Sequence, residues 1–245
     1  MTPEFPILGA ATLDTVAPWL EAARDTGAVA LIDKAEGWTS FDCVAVLRNR
    51  SGVRRVGHAG TLDPLATGLL VVCFGKATKH VERFQDAPKE YVTTIKLGAT
   101  TATDDRGADE VVVPIPDSVN ASTITAALSQ FTGTIEQLPP SFSAIRHGGK
   151  RQYDLAREGK HFEPRPRTVT VHSINVVDIA LPYVTLTIHC SKGTYIRSIA
   201  RDLGAVLGTG GYAHSLRRTR IGEFHVDASA SIDALRLALS AKVAA

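Results

Sequence analysis

The sequence has few cysteines and no long apolar run, and each shortage excludes a class of protein. Its 245 residues include three cysteines, Cys43, Cys73 and Cys190, an odd number with no CxxC spacing. They predict reduced thiols in a cytosolic protein and exclude a disulfide framework and a thiolate metal cage. No window approaches the length of an uncharged membrane helix, and acidic residues interrupt the N-terminal segment where a signal peptide needs an apolar core. We therefore expect a soluble cytoplasmic protein.

Metal-binding and phosphate-binding motifs are missing as well. The 8 histidines form no HxxxH or HExxH pair, so a zinc enzyme has no support. The GTGG segment at 208–211 lacks the spacing and the GK[ST] ending of a nucleotide-binding loop. Four acids lack the spacing of a calcium loop, and the sequence favours a solvated loop for them: Asp104, Asp105, Asp109 and Glu110.

Charge is almost balanced overall but is unevenly distributed along the chain. There are 27 Lys and Arg residues against 25 Asp and Glu, which gives a formal net charge of +2. Among the charged residues, bases predominate within 48–58, 141–172 and 189–220, whereas acids predominate within the first 33 residues. Because Lys and Arg neutralise phosphates, and this interaction dominates nucleic-acid affinity, the three basic stretches indicate a polyanionic partner. For any single stretch, a solvated face without a ligand is the alternative.

The hydrophobic pattern predicts an α+β fold. Compact or alternating apolar runs predict strands at 28–33, 69–74, 91–97, 168–177 and 183–190. Helices are predicted at 12–25, 76–84, 122–131 and 151–158, within 191–207, and at 231–240. A further helix is predicted to follow an N-cap at Thr39 or Ser40. Because strands follow strands without a βαβα rhythm, we expect a mixed, largely antiparallel sheet flanked by helices. No repeat or linker divides the chain, which favours one domain.

The Gly-rich segment GHAGTLDPLATG at 57–68 contains the most informative residue. Asp63 lies at its centre, and the segment follows a basic stretch. A carboxylate in such a loop is able to act as a nucleophile, a general base or a metal ligand, or simply to cap a turn. His58, five residues earlier, has the chemistry to wedge into a nucleic acid, shuttle a proton or bond the loop backbone.

Two downstream residues are further candidates. Tyr91 begins a predicted strand and is able to stack on a base or to anchor a core. Arg197, in SKGTYIRSIARDLG, suits a carboxylate or phosphate partner, or a surface pair with a residue one helical turn away. The residue types alone leave these alternatives open.

Three segments carry a recognisable family pattern: GHAGTLDPLATGLL at 57–70, KEYVTTIKLG at 89–98 and HCSKGTYIRSIARDLG at 189–204. Supporting segments include LIDKAEGWTSFD at 31–42 and LRRTRIGEF at 216–224. With these motifs the chain resembles the TruB family of bacterial tRNA pseudouridine synthases. The resemblance implies a pseudouridine-synthase-like fold and tRNA pseudouridine(55) synthase activity, which converts the T-loop uridine of tRNA to pseudouridine. It also implies that no metal and no organic cofactor takes part.

The resemblance assigns roles to individual residues. Asp63 matches the catalytic aspartate, Tyr91 the aromatic residue that contacts the target base, and Arg197 the arginine that pairs with the catalytic carboxylate. Among the other substrate-binding matches, Tyr195 and Leu216 correspond to two pocket-lining positions. His58 corresponds to the residue that fills the space of the flipped base, and Lys79 corresponds to a lysine near the site.

Domain boundaries and partners follow from the same resemblance. Residues 1–27 precede the usual start of the family and are predicted to be an N-terminal extension. Residues 28–245 are predicted to form the catalytic domain, with the small C-terminal RNA-binding module of longer members absent. The implied partner is the T arm of tRNA. The resemblance also implies that the protein is a monomer and has no membrane partner.

Two other functions stay open from the sequence. A noncatalytic tRNA-binding or remodelling protein would bind RNA without forming product and without needing Asp63. A metal-dependent nuclease built on Asp63 with Asp104 or Asp105 would cleave RNA and would stop when EDTA removes the metal. The sequence also leaves open whether the aspartate attacks the sugar or the base, or promotes an elimination.

Overall fold

The computed structural model describes residues 5–142 and 165–243, together with short strands at 146–147 and 150–151. The strands are β1 (Ile7–Leu8), β2 (Ala28–Lys34), β3 (Val56–His58), β4 (Thr67–Phe74), β5 (Lys89–Leu97), β6 (Ala99–Thr101), β7 (Glu110–Val112), β8 (Gly133–Gln137), β9 (Arg146–His147), β10 (Lys150–Arg151), β11 (Arg167–Ala180), β12 (Tyr183–Cys190), β13 (Gly211–Ile221), β14 (Phe224–His225) and β15 (Ala230–Ser231). The α-helices are α1 (Val16–Asp25), α2 (Ser40–Ser51), α3 (Val81–Asp86), α4 (Ala121–Leu128), α5 (Ile196–Leu207) and α6 (Ile232–Val243).

The chain folds into two compact units. The first comprises Met1–Lys89 and Arg217–Ala245, and the second comprises Glu90–Leu216. Strand β13 supplies its residues up to Leu216 to the second unit and the remainder to the first. Both units combine a sheet with helices, so the predicted α+β class is confirmed.

The sheet of the first unit is mixed. Its central strand β2 pairs antiparallel with β4 and parallel with the short strands β1 and β15. Strand β4 also pairs antiparallel with β3, and parallel with the β13 residues Arg217 and Arg218. Six of the seven residues of β2 are buried, as expected for the compact apolar run that predicts this strand. Helices α1 and α6 contact β2, and α2 packs against α6.

The N-terminal residues are part of this core. Helix α1 buries Trp19, whose indole Nε1 donates a hydrogen bond to the carbonyl of Val29 at 2.9 Å. The indole also packs edge-on against Phe74, with ring centroids 4.8 Å apart. Residues 7–25, which the sequence assigns to an extension, therefore pack against the central strands β2 and β4 of the first unit.

The sheet of the second unit has the strand order β13, β5, β12, β11, β8. The strands predicted at 168–177 and 183–190 correspond to β11 and β12, which form a hairpin and pair antiparallel up to Ala180 opposite Tyr183. Helices α4 and α5 contact each other. Buried side chains from both helices and from strands β5, β11 and β12 form one core: Ile95, Leu97, Ile124, Leu128, Val171, Val184, Leu186, Ile188, Ile196, Ile199 and Leu203.

Several elements differ from the prediction. The polar segment after β5 forms the β6–β7 hairpin, and the strand β13 is not predicted, because its basic residues hide the alternating pattern. The helix predicted at 151–158 lies outside the described residues, apart from the backbone of Arg151 in β10. No helix in the described part of the chain is long and apolar enough to span a membrane.

Candidate active site

Asp63 lies in the loop between β3 and β4, and its side chain is half-buried. The loop turns at Asp63, where the carbonyl oxygen accepts a hydrogen bond from the amide of Ala66 at 3.0 Å. Two glycines in left-handed conformations, Gly60 (φ +99°) and Gly68 (φ +98°), bound the loop. A Cβ on Gly68 would lie 2.3 Å from the carbonyl oxygen of Arg218, so only glycine fits beside this strand.

A buried serine anchors the residue before Asp63. The hydroxyl of Ser40 accepts a hydrogen bond from the amide of Leu62 at 2.9 Å and donates to the carbonyl of Leu62 at 3.2 Å. Thr39, rather than Ser40, caps α2, because its hydroxyl accepts from the amide of Asp42 at 3.0 Å. The two hydroxyl residues that the sequence offers as caps therefore have separate tasks, one in the helix and one in the loop.

A buried lysine anchors the residue after Asp63. The ammonium of Lys34, at the end of β2, donates to the carbonyls of Pro64 at 3.2 Å, Trp38 at 2.7 Å and Ala35 at 3.0 Å. Burial lowers the pKa of Lys34, and attraction to neighbouring negative groups, among them the Asp63 carboxylate, opposes this effect. The Asp63 carboxylate is therefore within electrostatic reach of a buried cation.

A buried arginine joins the two ends of the loop. Arg218, on β13, is 1% exposed. Its Nε donates to the carbonyl of Leu69 at 2.8 Å, and its Nη2 donates to the carbonyl of Gly60 at 3.2 Å. With Ser40 and Lys34, it fixes the backbone of the loop from three separate elements.

The two other candidates of the first unit, His58 and Lys79, lie close to this loop along the chain. His58 ends β3, where it pairs with Val72 of β4, and its side chain is partly buried. Lys79 lies in the 3-10 turn Gly75–His80 that follows β4, and its side chain is exposed. A surface lysine in this position is available for a phosphate contact.

In the second unit, Arg197 is held within a buried polar cluster. It lies in the first turn of α5, and its Nη1 donates to the carbonyl of Thr103 at 2.7 Å. Its Nη2 donates to the carbonyl of Phe142 at 2.8 Å, and the carboxylate of Asp105 lies 3.5 Å from Nη1. The Arg197 side chain is only 5% exposed, so the alternative of a surface pair along the helix is wrong.

The acids beside this cluster are paired rather than solvated. Asp104 lies 3.0 Å from Nη1 of Arg201, and the side chains of Asp104 and Asp105 are 14% and 15% exposed. Burial raises the pKa of Asp104, while the Arg201 guanidinium opposes the shift. The prediction of a solvated loop is therefore wrong for both residues, because the charges of α5 draw them inward. Among the described residues, no group of three His, Cys, Asp or Glu side chains is arranged to hold a metal ion.

The remaining second-unit candidates share one core. Tyr91 of β5 and Leu216 of β13 both pack against the apolar cluster that contains the helix α5 residue Ile196. Tyr195 precedes α5, and Gln137 holds its backbone through two hydrogen bonds, from the Tyr195 amide at 2.7 Å and to the Tyr195 carbonyl at 3.0 Å. Within the second unit, core packing thus holds Tyr91 and Leu216, and hydrogen bonds with Gln137 hold the backbone of Tyr195.

The residues that support these candidates are not predicted from the sequence. Lys34 carries one signal in the sequence, since an otherwise apolar strand pattern ends in two charges, Asp33 and Lys34. Asp105 and Gln137 carry no such signal, because their partners lie far along the chain: Gln137 and Tyr195 are separated by 58 residues.

Two protein-family models match consecutive parts of the chain. The N-terminal domain of the TruB family pseudouridylate synthases matches residues 48–196, and the C-terminal domain of tRNA pseudouridylate synthase B matches residues 197–243. The chain is 45% identical over 215 residues to tRNA pseudouridine synthase B of Thermobifida fusca, a match that covers 84% of this chain and 73% of that protein. It is 42% identical over 213 residues to tRNA pseudouridine synthase B of Phocaeicola vulgatus, covering 84% and 91%.

A solved structure shows the same fold. The chain superposes on one from the crystal structure of a Cbf5-Nop10-Gar1 complex with a TM-score of 0.65 and 32% identity. The match covers 84% of this chain and 52% of that one, so this chain spans about half of its length. Because the family domains match residues 48–243 and two curated relatives share more than 40% identity over most of the chain, the chain belongs to the TruB family of pseudouridylate synthases.

Proposed function

We propose that the protein isomerises the T-loop uridine of tRNA to pseudouridine and that Asp63 is its catalytic residue. The observation that carries the proposal is the Asp63 loop, which buried side chains of Ser40, Lys34 and Arg218 hold on both sides of the carboxylate. A catalytic group has to return to one geometry at each turnover, and supporting hydrogen bonds provide that reproducibility. Family membership supports the reaction type.

The reaction exchanges one bond for another. The bond between N1 of uracil and C1′ of ribose breaks, the base turns, and carbon 5 becomes bonded to C1′. The proton on carbon 5 leaves, and N1 gains a proton, so no oxidant, reductant or cofactor is required. The uridine first has to leave its stack, which costs a few kcal/mol and less in a loop than in a helix.

The other candidates act on the uridine and its RNA. We propose that Tyr91 stacks on the extruded base and that Tyr195 and Leu216 line the same pocket, which would keep the cleaved uracil from escaping. Arg197 would orient the Asp63 carboxylate. Its contacts with the carbonyls of Thr103 and Phe142 support this role, because they fix the guanidinium plane in advance. His58 would occupy the space of the flipped base, and Lys79 would contact phosphate.

We propose further that the partner is the T arm of tRNA, bound by a monomer in the cytoplasm without a metal ion. The exposed basic residues within 48–58 and 189–220, Lys192 among them, would bind phosphates, so the logarithm of the affinity is expected to fall steeply with the logarithm of the salt concentration. An affinity that does not respond to salt would contradict phosphate-led binding. Sedimentation with and without RNA tests the monomer.

Tritium release from a T-arm RNA labelled at carbon 5 of uridine tests the function directly. Wild-type protein should release tritium in the presence of EDTA, and Asp63→Asn should bind the RNA equally but release none. Asp25→Asn is the matched control, because Asp25 is an exposed aspartate of the same unit, 3.8 Å from Lys76. It should release tritium at the wild-type rate.

The same experiment separates the other functions. Tight binding without release by the wild-type protein would favour a noncatalytic RNA-binding protein. Cleavage of the RNA that stops with EDTA would favour a nuclease. Wild-type turnover by Asp63→Asn would refute the assignment of Asp63.

A further inference from the structure

Arg218 is buried in a way that its hydrogen bonds alone do not explain. Its two acceptors are neutral carbonyls, those of Gly60 and Leu69, and no carboxylate of the described residues lies within ion-pairing distance of it. Burying a guanidinium without a counter-charge is costly, and a neutral amide side chain could donate to one such carbonyl without that cost. The positive charge at this position therefore calls for a reason beyond tying two carbonyls.

A second buried cation lies in the same region. Lys34 is 0% exposed, and its three hydrogen-bond acceptors are also carbonyls. Its ammonium is close enough to Arg218 for repulsion between the two to contribute to its pKa, and close enough to Asp63 for attraction to contribute. Two buried cations thus share the surroundings of the loop that carries Asp63.

The contacts of Arg218 are placed at the two ends of this loop. Gly60 lies three residues before Asp63, and Leu69 lies six residues after it. A Cβ on Gly60 would be 3.6 Å from Nη1 of Arg218, so the guanidinium lies directly against the loop. A planar, permanently charged group bonds both ends in one fixed orientation, which a flexible ammonium would not do.

We infer that Arg218, together with Lys34, positions the catalytic loop and supplies a fixed positive field for the Asp63 carboxylate. Arg218 is a positioning residue, because it acts through the backbone at Gly60 and Leu69 and through its charge. Ser40 is the neutral counterpart, since it bonds the same loop at Leu62 without adding charge. This inference rests on the proposed function, since it assigns a role in the reaction that Asp63 performs.

The test compares Arg218→Gln with Arg218→Lys. Arg218→Gln keeps a hydrogen-bond donor but removes the charge, and Arg218→Lys keeps the charge. We expect Arg218→Gln to lower kcat for tritium release on the order of 100-fold with the Kd for T-arm RNA unchanged, because the loss lies in the geometry and field at Asp63. Arg218→Lys keeps the charge but not the planar fork that bonds both ends of the loop, so its turnover should lie between those of Arg218→Gln and the wild type. Circular dichroism and tryptophan fluorescence confirm that each variant is folded.

Two controls sharpen the result. Arg236→Gln removes an exposed arginine that pairs with Asp233 on α6 and should leave turnover unchanged. Ser40→Ala loosens the loop without changing its charge and should reduce turnover less than Arg218→Gln does. Turnover by folded Arg218→Gln within twofold of the wild type would overturn the inference, as would a loss that appears only in Kd. Failure of the wild-type protein to release tritium would instead refute the proposed function.

Discussion

Replacing Trp19 tests whether the N-terminal segment is part of the fold of the first unit. The indole is 3% exposed, donates one hydrogen bond to Val29 and packs edge-on against Phe74. If this packing is correct, Trp19→Ala should destabilise the first unit by about 3–5 kcal/mol, the usual cost of removing a buried aromatic side chain. Trp19→Phe keeps the ring contact and loses the hydrogen bond, so its cost should be about 1 kcal/mol from that bond, with a smaller contribution from the lost ring area.

The sequence supplies a convenient reporter for this measurement. The chain has 2 tryptophans, and the other one, Trp38, lies in the same unit and stays in place when Trp19 is replaced. Urea unfolding followed by Trp38 fluorescence therefore reports the free energy of unfolding of the first unit, with the slope m checked for constancy. Phe41→Ala is the control, because Phe41 is 65% exposed and its removal should change the free energy by less than about 0.5 kcal/mol.

A small loss of stability on removing the indole would contradict this packing. If Trp19→Ala costs no more than Phe41→Ala, the N-terminal segment does not contribute to the core, and the extension inferred from the sequence is then the better description. If Trp19→Phe costs as much free energy of unfolding as Trp19→Ala, the stabilisation comes from the hydrogen bond rather than from the packing.

Three further predictions follow from the buried groups. Asp105→Asn should cost about 3 kcal/mol, the lower end for breaking a buried pair, because it removes the carboxylate that lies 3.5 Å from Nη1 of Arg197; calorimetry measures the cost, and a change below about 0.5 kcal/mol would show that the pair contributes little. Burial raises the pKa of Cys43 to about 11 and that of Cys73 to about 12, so both thiols are protonated at neutral pH and should react with a disulfide reagent only after unfolding; rapid reaction of the native protein would contradict this burial. Gly68→Ala should destabilise the protein by about 1–3 kcal/mol in urea unfolding, because φ is +98° and the new Cβ would meet a backbone oxygen at 2.3 Å; an unchanged unfolding midpoint would show that the strand has shifted to admit it.

Local patterns predicted the elements that have strong local causes. The apolar run of β2, the alternation in β11 and β12 and the capping residue Thr39 before α2 all appear in the structure where the sequence places them. Strand β13 was not predicted, because its basic residues hide the alternating pattern and the strands with which it pairs lie far along the chain. The β6–β7 hairpin was missed for a similar reason, since each of its strands has only three residues.

Contiguous segments of the sequence identify the candidates, because Asp63 lies in a Gly-rich loop and Arg197 lies at the start of a helix. The residues that support these candidates come from distant segments and are brought to them by the fold. Arg218 bonds Leu69, which is 149 residues away in the sequence, and Arg197 bonds Thr103, which is 94 residues away. Periodicity and spacing describe neighbours along the chain, whereas a buried charge is stabilised by whichever polar groups the fold brings to it, and those partners are set by packing.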